Sequence, residues 1–398
     1  MVRAVASRWN GLPARLFLSP GTSLAAVLCI VATGWLAPRG VAAGAEPPPP
    51  ATRPAIEPAA IEPRVRQFDD VRADLDVQGR ELAKVLPAVD SLFEQSKRAE
   101  VAPKALPPLK KMADLLDEAM VMVPQSLQLR RTRLELSAMM SLLGDNDGAL
   151  YLRKQAVSND QEEAASATAW EYVIDFAHAG KNAEGQKKAV ADLAGLARGQ
   201  PTNDMIGQAA ALMVAQAADP QISAQAEKII TDVLKGPMAE RMAADLAREH
   251  KLLALENKPM VIEGTKVDGK AFSSADWKGK VVLVDFWATW CPTCMHDFPH
   301  ILKVYNDNHG KGLEIVGVSC DTDGDGLKNF LGVNPGLAWP ELFDPGAAAK
   351  SALHPLAQQF GVNLPTLFLI DRKGIVRSVD AQANLDALIQ KLLAENAE

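Results

Sequence analysis

The sequence predicts two different folded parts, an all-helical domain followed by an α/β domain. At 398 residues the chain exceeds the usual size of one domain. From about residue 65 to 256, apolar residues recur at helical spacing among Ala, Leu, Met, Lys, Glu and Gln. Further on, the apolar run Val281–Val284 reads as a buried strand and leads into Cys291-Pro-Thr-Cys294. The predicted division of the chain is 1–45, 46–64, 65–256 and 257–398.

Residues 1–45 have the composition of an export signal. Arg3, Arg8 and Arg15 precede the 14-residue apolar run Leu24–Ala37, and Ala-Gly-Ala follows at 43–45. The apolar run is short for a membrane span and typical of a signal peptide. We therefore expect an exported protein, periplasmic or otherwise extracytoplasmic. An uncleaved membrane anchor stays open as the alternative.

The next segment, residues 46–64, is rich in proline, including the run Pro47–Pro50. Such a composition favours extended polyproline II structure and cannot build a core. It predicts a linker between the export signal and the folded part.

The helical region, residues 65–256, contains regularly placed turn signals. Two of them, beginning at Gly144 and Gly180, are 36 residues apart. The stretch Pro124–Ala156 resembles a tetratricopeptide repeat, in which Leu136 and Ala149 occupy apolar or small positions. Two interpretations stay open, a concave surface that binds a protein partner and a helical bundle without a ligand. The predicted breaks between helices are Pro107–Pro108, Pro124, Gly144, Gly180, Pro201, Pro220 and Pro237.

Residues 257–398 alternate between strand-like and helix-like patterns. Asp268-Gly269 is a hairpin signal within Met260–Phe272. The order predicts one right-handed βαβ unit followed by a closing hairpin. After the strand at Val281, the predicted strands are Gly312–Ser319, Thr366–Asp371 and Ile375–Ser378, and the predicted helices are Pro292–Asn308, Gly326–Gly332, Ala347–Phe360 and Asn384–Ala397.

The Cys-x-x-Cys motif predicts a pair of reactive thiols at the start of a helix. Pro292 suits the first helical position, because its φ is fixed and its missing N–H is not needed there. Cys291 then lies at the N-cap, where the helix dipole lowers a cysteine pKa from ~8.5 to roughly 3.5–7.5. Cys291 is therefore the predicted nucleophile. Cys294, almost one turn further along the same face, is the predicted resolving thiol.

Three segments together resemble the TlpA/ResA-type thiol:disulfide oxidoreductases of the thioredoxin superfamily: Phe286–Cys294, Gly361–Thr366 and Leu369–Gly374. The resemblance covers about the last third of the chain and implies a thioredoxin fold for residues 257–398. It also implies reduction of disulfides in protein substrates, with apocytochrome c as one candidate and a membrane protein as electron donor. The redox group would be the Cys291–Cys294 disulfide itself, with no other cofactor.

The resemblance also assigns roles to residues around the dithiol. Asp285, six residues before Cys291, matches a buried carboxylate that exchanges a proton with Cys294. The alternative is a strand residue hydrogen-bonded in the core. Pro365 matches the family's cis-proline, whose missing N–H leaves backbone open to an extended substrate. The expected substrate contacts are Trp290, Pro292, Thr293, Leu364 and Thr366.

Other chemistries fit the residues less well. Met295 stands where a c-type haem motif requires His, and a zinc site would need a second ligand pair, so no metal is expected. A formal charge of −7 gives no basic footprint for nucleic acid. One hypothesis of another class stays open, in which the helical domain is a protein-binding scaffold and the dithiol domain a redox-sensitive docking module.

Cys320 follows the predicted strand Gly312–Ser319, so it should lie near the dithiol. Its neighbours Ser319 and Asp321 supply no cation, and the sequence therefore predicts a disfavoured thiolate in a small buried side chain. A third redox thiol is the alternative.

Overall fold

The computed structural model describes residues 67–85, 92–217, 219–350 and 352–395. They form two compact units, the first ending at Ala243 and the second beginning at Ala244. The expected export signal and linker lie outside the described residues. Within the described ranges, no helix combines the length and apolarity needed to cross a membrane. The domain limits 65–256 and 257–398 stay predictions.

The first unit is built from helices, as the periodic pattern predicts. Pro124 and Pro201 lie in turns, while Pro220 and Pro237 begin helices. In chain order the helices are α1 (Phe68–Val85), α2 (Gln95–Met122), α3 (Leu127–Leu142), α4 (Asn146–Ala156), α5 (Gln161–Ala179), α6 (Ala183–Gly199), α7 (Asp204–Gln216), α8 (Pro220–Lys228), a π-helical turn (Ile229–Val233) and α9 (Pro237–Leu253), which continues into the second unit.

The two turns that begin at Gly144 and Gly180 have the same local structure. After α3, Gly144 adopts φ 86°, and the Asp145 carboxylate accepts hydrogen bonds from the backbone N–H groups of Asp147 and Gly148. A Cβ on Gly148 would lie 2.7 Å from Met140 Cβ, so glycine permits close helix packing here. The turn between α5 and α6 repeats this order of glycine, cap and glycine with Gly180, Asn182 and Gly185.

The predicted break at Pro107–Pro108 is wrong. Helix α2 runs through both prolines and through Pro103 without interruption. An internal proline removes a hydrogen bond and destabilises a helix by ~3 kcal/mol or more. Here the helix buries a long apolar stripe, and tertiary packing outweighs local propensity. That stripe contains Val101, Ala105, Leu109, Met112, Leu116 and Ala119.

The second unit contains a two-stranded hairpin and a five-stranded mixed sheet. Its elements are β1 (Glu263–Thr265), β2 (Ala271–Ser273), β3 (Val281–Trp287), α10 (Pro292–Asn308), β4 (Leu313–Ser319), α11 (Gly324–Val333), β5 (Glu341–Leu342), α12 (Pro345–Ala348), α13 (Pro355–Phe360), β6 (Thr366–Ile370), β7 (Val376–Ser378) and α14 (Leu385–Ala394). The order of the strands in the sheet is β5-β4-β3-β6-β7. Strands β3, β4 and β5 are parallel, whereas β6 and β7 are antiparallel to their neighbours. This is the thioredoxin-like fold that the resemblance implies.

Every residue of β3 is buried, because the sheet is covered on both faces. Leu283 packs with Ile301 of α10 and Ile389 of α14 on one face. On the other face, Val284 packs with Leu327 of α11 and Phe360 of α13. The central position of β3 places its carboxyl end, and the motif that follows, in the middle of the sheet edge.

One sequence expectation in this unit is wrong, and one strand has no counterpart among the predicted elements. The single helix predicted at Ala347–Phe360 is two short helices, because Pro355 holds His354 in an extended conformation that starts α13 anew. Strand β5 was not predicted, since two residues carry no periodic signal.

Candidate active site

The Cys291–Cys294 pair lies where β3 delivers the chain to the start of α10. Cys291 is the N-cap residue and Pro292 the first helical residue, as the sequence predicts. The two sulfurs form a disulfide, and the backbone N–H of Cys294 donates to Cys291 Sγ at 3.2 Å. Cys291 Sγ thus occupies the positive end of the helix dipole, which stabilises a thiolate when the bond is reduced.

The loop that carries Trp290 is fixed by Asp321, just beyond the end of β4. The Asp321 carboxylate accepts hydrogen bonds from Thr289 N at 3.0 Å and Thr289 Oγ1 at 2.5 Å. Ser319 Oγ donates to the other carboxylate oxygen at 2.8 Å. From the sequence, Asp321 is identified only as an acidic neighbour of Cys320. The structure shows that it joins two parallel strand ends and holds the dithiol loop in place.

Asp285 is buried behind the disulfide. Its residue is 7% exposed, and its Oδ1 has no hydrogen-bond partner within the part of the chain that the structure describes. Burial, and secondarily the negative charge of Asp297, raise the pKa of Asp285 to about 7. Among the described residues, no hydrogen bond therefore offsets the burial of Oδ1, and the pKa of the carboxyl lies near neutral pH.

Glu341 is a second buried acid that the sequence reading missed. It is 6% exposed, and its two carboxyl oxygens accept hydrogen bonds from Trp287 Nε1 at 2.9 Å and Trp339 Nε1 at 2.8 Å. Burial is the main cause that raises the pKa of Glu341 to about 8. No sequence signal marks it, because a lone Glu in Trp339-Pro-Glu341 reads as an exposed loop residue.

A narrow cavity of about 10 Å³ brings Asp285, Glu341 and Cys294 together with Pro365. That volume is about enough for one water molecule. No metal-ligating cluster of three or more His, Cys, Asp or Glu occurs in the described ranges. The other lining residues are Trp287, Asp297, Phe298, Ile301, Leu337, Trp339 and Gln382.

The residues expected to contact a substrate differ in their exposure to solvent. Trp290 is 57% exposed, and Pro292 and Thr293 beside it are exposed too. The Leu364–Pro365 peptide bond is cis, the isomer that the resemblance implies, and both residues are partly exposed. Thr366 differs from the others, because it is buried and its hydroxyl donates to the Asn363 carbonyl. Its side chain is therefore closed to a substrate.

Cys320 is buried and is the free cysteine of the described residues. Burial raises the pKa of its thiol to about 11, so the thiolate is disfavoured at neutral pH.

Replacing Cys320 with serine should leave disulfide reductase activity and the Cys291–Cys294 reduction potential unchanged, because a thiol that stays protonated does not exchange. The potential can be measured by equilibration with glutathione. A displacement of ~30 mV or more, equivalent to ~1.4 kcal/mol for a two-electron couple, would show that Cys320 takes part.

Comparison with known proteins concerns the second unit. Residues 253–391 match the family model described as Redoxin. The chain is 35% identical over 113 residues to thiol-disulfide oxidoreductase ResA of Bacillus thuringiensis (strain Al Hakam), covering 28% of this chain and 61% of that protein. It therefore spans about three fifths of the length of that relative.

One further relative and one solved structure are similar to this chain. ResA of Bacillus thuringiensis subsp. konkukian (strain 97-27) is 31% identical over 130 residues, covering 32% of this chain and 70% of that protein. A solved thiol:disulfide interchange protein of the thioredoxin family from Chlorobium tepidum TLS is 28% identical. The match covers 35% of this chain and 97% of that chain, with a TM-score of 0.29.

Proposed function

Because the chain belongs to the family of ResA-type thiol-disulfide oxidoreductases, we propose that it reduces disulfides in protein substrates outside the cytoplasm through Cys291 and Cys294. The observation that carries this proposal is the position of Cys291. It caps α10 and is paired with Cys294, which lines one cavity together with the buried carboxyl of Asp285.

The first step forms a mixed disulfide. In the reduced protein, the Cys291 thiolate attacks one sulfur of the substrate disulfide. The bond between the two substrate sulfurs breaks, and the released substrate thiolate takes up a proton. The N-terminal end of α10 supplies the electrostatic stabilisation that keeps Cys291 ionised before the attack.

The second step resolves that intermediate. Asp285 accepts the proton of the Cys294 thiol, and the Cys294 sulfur then attacks Cys291 Sγ. The bond between Cys291 and the substrate breaks, and the second substrate sulfur leaves and is protonated. The substrate has gained two electrons and two protons, and the enzyme ends as the Cys291–Cys294 disulfide.

Substrate recognition is proposed to use the surface around this disulfide. Trp290 offers an exposed aromatic face beside Pro292 and Thr293. Pro365 has no N–H, and its neighbour Leu364 is partly exposed, so an extended substrate strand can pair with the backbone of this loop. These features favour an unfolded or extended protein substrate, and apocytochrome c is one candidate.

Continued turnover requires an external dithiol that reduces Cys291–Cys294 again. We propose a membrane protein as this donor, because the signal-like sequence of residues 1–45 favours export from the reducing cytoplasm. No cofactor beyond the disulfide is needed for the two steps above.

A second candidate function is partner binding by the helical unit. It is favoured by apolar side chains exposed around the turn between α2 and α3. Their exposure is unusual for a soluble helical surface and marks a surface that a protein can cover. These residues are Val121, Met122, Val123 and Leu127.

Reduction of insulin separates the two functions. The wild-type protein should accelerate insulin precipitation driven by dithiothreitol, because Cys291 and Cys294 exchange with the insulin disulfides. The matched control is the same protein after reduction and alkylation of its thiols, which should be inactive. An unmodified protein no faster than dithiothreitol alone would favour the scaffold function.

A further inference from the structure

Asp285, Gly317 and Glu341 form one row across three adjacent strands. In register, Asp285 of β3 lies opposite Gly317 of β4, and Gly317 lies opposite Glu341 of β5. Residues in register on neighbouring strands point to the same face of a sheet. Both acids accordingly line the cavity that also contains Cys294.

Gly317 leaves room for the Glu341 carboxyl to extend towards Asp285. A Cβ at position 317 would overlap all three atoms of that carboxyl group. The Glu341 carboxyl therefore occupies the side-chain space of the residue that separates the two acids. Trp287 and Trp339 hold it there through one N–H donor on each oxygen.

The charged groups near this row are mostly negative. Asp297 of α10 lines the cavity, and Asp321 beyond β4 adds a further negative charge near Glu341. None of the described residues that line the cavity is basic. Lys266, beside β5 through its bridge to Leu342, has its ammonium group 3.6 Å from the carboxylate of Asp268.

We propose that Glu341 is a positioning residue for the resolving step. Glu341 and Asp285 together carry a single negative charge behind Cys294 at neutral pH. This inference rests on the proposed function, because it concerns the carboxyl that accepts the Cys294 proton. Asp285 is the member that exchanges the proton with Cys294. Glu341 acts through Asp285 and does not contact the reacting sulfurs.

The two acids titrate as a coupled pair, because both carboxyls are buried in the same cavity. Burial is the main cause that raises the pKa of Asp285 to about 7 and that of Glu341 to about 8, although two indole N–H donors favour the Glu341 carboxylate. The charge of either carboxylate opposes ionisation of the other, and the Asp285 charge contributes to the raised pKa of Glu341. A second charge beside Cys294 opposes formation of the Cys294 thiolate. Turnover should therefore rise near pH 7 and fall near pH 8.

The titration of the pair can be observed directly in the full-length wild-type protein. With ¹³C-labelled Asp and Glu carboxyls, NMR should show Asp285 titrating near pH 7 and Glu341 near pH 8, with Glu341 sensing the Asp285 step. Glu135 in the helical unit is also buried, with a pKa raised to about 8, so Glu135→Gln assigns the two glutamate signals. A Glu341 carboxyl that titrates at the ordinary glutamate value of about 4 would overturn the proposal.

The variant Glu341→Gln tests the effect on catalysis. Insulin reduction by this variant should keep the rise near pH 7 and lose the fall near pH 8, whereas Glu135→Gln should retain both. In Asp285→Asn, the pKa of Glu341 should fall, because the charge that raises it is gone.

Two failures are distinguishable. A wild type that does not reduce insulin contradicts the proposed function, whatever the carboxyls do. An active wild type whose pH profile superimposes on that of Glu341→Gln contradicts the carboxyl pair alone and leaves Glu341 as an acceptor for two indoles. If Glu341→Gln does not fold, the wild-type titration decides.

Discussion

Replacement of Cys294 with alanine is expected to stop turnover and to leave substrates covalently attached to Cys291. The first step needs only the Cys291 thiolate, which keeps its place at the start of α10. The second step needs a thiol one turn away, and the variant has none there. Non-reducing gels of the variant, expressed in its own host, should show adducts that dithiothreitol releases.

Two matched variants define the origin of those adducts. Cys291→Ser combined with Cys294→Ala should form none, because the attacking thiolate is absent. Cys320→Ser combined with Cys294→Ala should form as many as Cys294→Ala alone, since the buried Cys320 thiol stays protonated. Adducts that disappear when Cys320 is replaced would make Cys320, rather than Cys291, the attacking thiol. A complete absence of adducts would contradict Cys294 as the resolving thiol.

The dithiol and its helix could be predicted because their determinants are local. Pro292 favours the first helical position, which makes Cys291 the N-cap residue. The predicted helix Pro292–Asn308 matches α10 at both ends. The hairpin between β6 and β7 was predicted for the same reason, since Gly374 takes the positive φ that the turn requires.

The features that could not be predicted depend on contacts between residues far apart in the chain. Strand β5 has two residues and exists because β4 offers a free edge. Glu341 becomes buried only because Gly317 leaves space and two tryptophans donate to it. Similarly, α2 runs through Pro107 because its apolar stripe is covered. A single sequence gives the identity of these residues but not which of them are in contact in the folded protein.

Asp285→Asn is expected to lower insulin reduction at pH 7 by about 10²-fold, the lower end of what a positioned proton acceptor contributes. The wild-type rate should rise through pH 7, because Asp285 accepts a proton only when it is ionised. The asparagine variant should lack this rise. Equal rates for the two proteins from pH 6 to 9 would make Asp285 a structural residue.

The same substitution should stabilise the second unit above pH 7. The unfolded chain releases the Asp285 proton near the ordinary aspartate pKa of 3.8, whereas the folded protein keeps it until about pH 7. Folded stability therefore falls as pH rises through that window, by roughly 4 kcal/mol for a shift of about three units. Asparagine removes this penalty but buries an amide without partners, which costs about 1–3 kcal/mol.

The net effect of Asp285→Asn should be a gain on the order of 2 kcal/mol at pH 8. Below pH 4 the wild-type carboxyl is protonated in both states, so only the cost of the buried amide remains and the variant should be less stable by about 1–3 kcal/mol. Native-state hydrogen exchange of the β3 amides reports the stability of this unit by itself. A variant that is slower but more stable identifies Asp285 as a buried acid retained for proton transfer, because function then opposes stability. A variant less stable than the wild type at pH 8 would instead assign Asp285 a structural role in the core.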